Sequence, residues 1–95
     1  MREEASVLYA NRSQAYMGAQ MWAEAQADAE ASTEVKRAGN AKAWWRRGRC
    51  LMEMGRLEEA RGVLKEGVEV EGEEGELKSL LRECEGEIRK RVERR

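Results

Sequence analysis

Lys42, Trp45, Arg46 and Arg49 fall at i, i+3, i+4 and i+7, so a helix through them carries all four on one face. A lysine ammonium and an arginine guanidinium one turn apart suit a ligand that presents two carboxylates, because each forms a charge-assisted hydrogen bond. Asn11 and Gln14 show the same i, i+3 spacing earlier in the chain. Their amides donate to a carboxylate or accept from a peptide backbone. This chemistry is recognition and not bond cleavage. The sequence has no histidine, the commonest general base and metal ligand, and no phosphate loop or nucleophile–base pair. Its two cysteines, Cys50 and Cys84, are too few for a zinc site, which takes four ligands. Both fall on apolar helix faces and read as buried structural thiols. No cofactor is expected.

Helices must hold these side chains, and the sequence repeats in a way that defines them. Tyr9 recurs as Trp44, Ser13 as Gly48, Tyr16 as Leu51, Trp22 as Leu57, Ala25 as Ala60 and Ser32 as Gly67, always 35 residues on. The small pair Ser13 and Ala25, and its copy Gly48 and Ala60, let two antiparallel backbones approach while the aromatics fill the groove beside them. A unit of this length and pattern is a helix–turn–helix repeat of the tetratricopeptide type. The expected fold is all-α: a repeat over 6–40, a second over 41–74 and an amphipathic capping helix over 76–94. Within them helices are expected at about 3–18, 22–36, 41–54, 57–70 and 76–94. Gly39-Asn40 and Gly55 stop helices, and Gly72 and Gly75 bracket an acidic turn. Leu77, Leu80, Leu81, Cys84 and Ile88 form the cap's apolar stripe, which shields the end of the array from water.

Two repeats and a cap are fewer than the three repeats such arrays usually need. Residues 1–5 read as the tail of a linker, and the chain as a fragment that lacks a preceding repeat. The apolar side of its first helix is then expected to seek a partner, such as a second copy of the chain. Ninety-five residues with 39% charged side chains and no long apolar run indicate one small cytosolic domain without a membrane span. A formal net charge of −1 argues against nucleic acid as a partner. The basic run 88–95 reads as a solvated helix end that complements the macrodipole, in preference to a lipid or nucleic-acid contact.

The segment Leu8-Tyr9-Ala10-Asn11-Arg12-Ser13, with Lys42-Ala43-Trp44-Trp45-Arg46-Arg47-Gly48, resembles the carboxylate-clamp tetratricopeptide co-chaperones. That resemblance implies binding of the Glu-Glu-Val-Asp tail of a cytosolic heat-shock chaperone, with the seventy-kilodalton class favoured. In the family, a middle repeat supplies an asparagine at the sixth position of its first helix, matched by Asn11. The next repeat supplies a lysine and an arginine, matched by Lys42 and Arg46. The family's other clamp lysine and asparagine come from a preceding repeat, which has no counterpart here. The usual repeat-ending proline is replaced by Arg37 and Gly72.

The run from Lys36 to Gly48, followed by Glu53-Met54-Gly55-Arg56 and Glu58-Glu59-Ala60, is also similar to the tetratricopeptide subunit of the fungal post-translational translocon. This likeness implies docking of chaperone-bound precursors at the cytosolic face of the endoplasmic reticulum, with other translocon subunits as partners. The candidate binding residues are therefore Asn11, Gln14, Lys42, Trp45, Arg46 and Arg49, with Trp45 either lining the groove or packing under a preceding repeat. Two rivals remain. Lys42, Arg46, Arg47 and Arg49 can form a solvated basic face, and the array can be a scaffold that binds another subunit without reading a free C-terminus.

Overall fold

In the computed structural model, residues 2–72 and 75–94 are described. They form five α-helices and, among the described residues, no strand. These are α1 (Arg2–Gly18), α2 (Trp22–Val35), α3 (Ala41–Glu53), α4 (Leu57–Glu71) and α5 (Gly75–Glu93). Helix α1 pairs with α2, α3 with α4, and α5 closes the array against α3 and α4. The result is an elongated slab of 48 × 30 × 16 Å. The expected all-α architecture is thus observed, with helix ends within a residue or two of those read from the pattern. One reading is corrected: residues 2–5 belong to α1 and not to a linker. Glu3, Glu4 and Ala5 are good helix formers, and nothing between them and Ser6 interrupts the helix. Part of the expected acidic turn, residues 73 and 74, lies outside the described residues.

Each hairpin turns by the same hydrogen-bond pattern. After α1, the Met21 amide donates to the Tyr16 carbonyl at 2.8 Å and the Gln20 amide to Met17 at 2.9 Å. After α3, the Arg56 amide donates to Leu51 and the Gly55 amide to Met52, both at 2.9 Å. Both turns place a residue in the left-handed region, Gln20 at φ 61° and Gly55 at φ 77°. This is the Schellman arrangement, which satisfies carbonyls left free at a helix end. Only the second turn uses the glycine that adopts this conformation without strain.

The two hairpins are held by different forces. The apolar core consists of Trp44, Leu51, Ala60, Leu64, Leu77, Leu80 and Cys84, all from α3, α4 and α5. Gly48 lets α4 come so close that a methyl group there would meet Leu64 side-chain carbons. By contrast, α1 and α2 meet through small and polar groups. Ser6 and Ser32 share a hydroxyl–hydroxyl bond of 2.9 Å, and Ser13 Oγ donates to the Ala25 carbonyl at 2.7 Å. Arg12 forms a two-pronged ion pair with Asp28 at 2.7 and 2.9 Å. Asn40 then ties the hairpins together. Its Nδ2 lies within 3.4 Å of acceptors on Ser6, Ser32 and Lys36, and its backbone amide donates to Glu71 at 3.0 Å. Two hydrogens face four acceptors, so both Nδ2 hydrogens are used.

Polar contacts contribute about 1 kcal/mol each, whereas burying a leucine contributes about 2–3 kcal/mol. Val7 and Leu8 on α1 moreover stay largely exposed. Backbone amides of α1 and α2 are therefore expected to exchange with solvent through openings about 2 kcal/mol cheaper than those of α3 to α5. Hydrogen-exchange mass spectrometry reads this directly. Uniform protection along the chain would show that the polar seam holds as firmly as the core.

Candidate peptide-binding groove

Lys42, Trp45 and Arg46 project from one face of α3 into a cavity of about 680 Å³. Gln14, Met17 and Gly18 of α1 form the opposite wall, with Trp22 at the start of α2 beside them. Glu76, on the first turn of α5, completes the lining. Lys42 and Arg46 lie one turn apart, as their spacing requires. Arg46 donates to the Gln14 side-chain oxygen at 3.3 Å. Burial lowers the pKa of the Arg46 guanidinium from its ordinary value, since partial desolvation disfavours the charge.

Trp45 both lines this groove and packs half-buried against the α3–α5 core. Asn11 is exposed on α1 and lies outside the cavity lining. Arg46 meets Gln14, three residues on from Asn11, which is its equivalent 35 residues earlier. Arg49 is drawn away from the cavity. It pairs with Glu53 at 2.7 Å and with Glu83 of α5 at 2.9 Å, so its charge serves to join α3 to α5.

Met17, Gly18 and Trp22 lie outside the binding residues expected from the sequence, although Gln14, Met17 and Gly18 fall at i, i+3 and i+4. Glu76 was also missed. Carrying the 35-residue offset once more from Ala41 leads to it. Both thiols are buried as expected: Cys50 and Cys84 are fully enclosed, and Cys84 Sγ donates to the Leu57 carbonyl at 3.3 Å. Burial, assisted by Glu53, pushes the Cys50 thiol up to about 11.

The charges around the groove are unequal in their pairing. Arg12, Arg37, Arg47, Arg56 and Arg91 each pair with a carboxylate, to Asp28, Glu66, Glu30, Glu59 and Glu58 respectively. Among the described residues, Lys42 and Arg46 have no acidic partner. The groove thus holds two uncommitted cations over an apolar floor.

Residues 16–84 match the family described as tetratricopeptide repeat. The chain belongs to the tetratricopeptide repeat family. Tetratricopeptide domains are protein-interaction modules. The chain is 39% identical over 67 residues to the ER protein translocation subcomplex subunit sec67 of Schizosaccharomyces pombe, an alignment of 70% of this chain and 34% of that protein. It is 35% identical over 83 residues to the heat shock protein sti1 homolog of the same yeast, covering 87% of this chain and 14% of that one. The chain therefore spans about a third or less of either relative.

Among solved structures, the first tetratricopeptide domain of Spaghetti (RPAP3), bound to the HSP90 peptide SRMEEVD, superposes with a TM-score of 0.78 at 29% identity, over 87% of this chain and 65% of that one. The Sgt2 tetratricopeptide domain of Aspergillus fumigatus superposes with a TM-score of 0.84 at 27% identity, over 93% and 59%. The two resemblances read from the sequence, to tetratricopeptide co-chaperones and to a fungal translocon subunit, are borne out by these relatives. No helix among the described residues is long and apolar enough to cross a membrane.

Proposed function

We propose that the chain is a non-catalytic docking module whose groove takes the acidic C-terminal tail of a cytosolic heat-shock chaperone. The observation that carries this reading is the pair Lys42 and Arg46, which share a cavity and, among the described residues, form no ion pair. A half-buried guanidinium without a counter-charge is costly, and a ligand carboxylate relieves that cost. Gln14 and the exposed Asn11 offer amides to the ligand backbone, while Met17, Trp22 and Trp45 receive its apolar side chains. The peptide held by the Spaghetti domain supports an acidic tail as ligand. Likeness to sec67 supports a place at the cytosolic face of the endoplasmic reticulum, where chaperone-bound precursors are delivered to the translocon. The tail of the seventy-kilodalton class is the favoured ligand, and parallel titration with the ninety-kilodalton tail ranks the two.

A terminal aspartate offers two carboxylates, and amidation removes one negative charge and one acceptor oxygen. Affinity for an amidated tail peptide is expected to fall at least about tenfold relative to the free acid, at roughly 1.5 kcal/mol per charge-assisted bond. Isothermal titration at low salt measures this. Raising the salt should weaken the free acid more than the amide, because half-exposed charge pairs are screened. Equal affinities would favour the scaffold reading, in which apolar side chains alone are gripped.

A further inference from the structure

Glu76 is the one acid in the groove lining, and among the described residues its carboxylate forms no ion pair or hydrogen bond. Its position on the first turn of α5 brings it to the same cavity as Lys42, Trp45 and Arg46. A free carboxylate there works against an all-acidic ligand. A ligand seated in this groove therefore shares it with Glu76 as well as with Lys42 and Arg46. Lys42 and Arg46 favour acid at one part of the ligand, and Glu76 opposes it at another.

We infer that Glu76 is a specificity residue that selects a ligand of mixed charge: terminal carboxylates on Lys42 and Arg46, and a lysine or arginine side chain a few residues upstream that meets Glu76. This rests on the proposed acidic-tail reading of the groove. An acid in the first turn also suits the macrodipole of α5 whatever the ligand does. That purely structural role predicts a small change in melting temperature on substitution and no dependence on ligand charge.

The test uses a six-residue acidic peptide with a free C-terminus, and a set in which one arginine is walked through the upstream positions. Each is titrated against the wild-type chain, Glu76→Gln and Glu76→Lys. In the wild type, arginine at one position is expected to improve affinity about two- to fivefold, the range of an exposed ion pair. That gain should vanish in Glu76→Gln and reverse in Glu76→Lys. The all-acidic parent should move the other way, tightening by a similar factor when Glu76 is neutralised. A gain at no position, or one that survives Glu76→Gln, overturns the assignment. So does a substitution that shifts all peptides alike. Failure of the acidic-tail reading looks different: the parent peptide would then be indifferent to amidation in the wild type, whatever stands at position 76.

Discussion

Trp44→Ala is expected to lower the unfolding free energy by about 3–5 kcal/mol, the usual range for removing a buried tryptophan. Trp44 is only 1% exposed and sits in the core shared by α3, α4 and α5. Its indole N–H donates to the Arg37 carbonyl at 2.9 Å, and the guanidinium groups of Arg37 and Arg47 lie over its ring at 5.7 and 5.0 Å. Gly67 of α4 passes so close that an added methyl would sit 2.9 Å from the Trp44 Cβ. One substitution thus opens a cavity and removes the ring that lies beneath two guanidinium groups. Domains of this size hold about 5–15 kcal/mol in total, so a large share of the stability is lost. Denaturant melts followed by far-UV circular dichroism measure the change. A Trp44→Ala melt that coincides with the wild type would show that the core tolerates collapse around the vacancy.

Arg46→Ala should weaken binding of a free-acid tail peptide by about 1.5–3 kcal/mol, the scale of a hydrogen bond to a charged group. Lys42→Ala should act in the same direction. Lys65→Ala, on an exposed part of α4 outside the cavity, should change affinity little. The difference follows from desolvation. Arg46 is half-buried, its charge is already disfavoured, and its one side-chain hydrogen bond among the described residues goes to the neutral Gln14. A ligand carboxylate there gains a partner in low dielectric, whereas a carboxylate beside Lys65 gains one in water. Equal losses from all three variants would make the interaction a diffuse basic attraction and remove the groove from the account. Arg49→Ala offers a contrast, because its pairs with Glu53 and Glu83 tie it to α5.

The 35-residue recurrence of small and aromatic residues specified four helices in two antiparallel pairs, and the apolar stripe from Leu77 to Ile88 specified α5 and its closing role. Periodicity carries this because a helix side chain's face depends on its number alone. The same rule placed Lys42, Trp45 and Arg46 together on α3. It stops at the boundary of a single helix. Which residues of α1 face α3 depends on the axial offset between two packed helices. That offset is a property of the packed helices and not of either helix's own spacing. Through it Gln14 came to oppose Arg46, while Asn11 stayed outside the cavity. Pairing partners are likewise invisible in a one-dimensional pattern. Arg49 shares its helix face with Lys42 and Arg46, but Glu83 lies 34 residues on, on another helix, and captures it. Asn40 read as a helix breaker, yet folding makes it the knot between α1, α2 and α4. Local spacing sets which side chains travel together. The packing of one helix on the next, governed by side-chain volume and charge pairing over long separations, sets which of them meet a ligand.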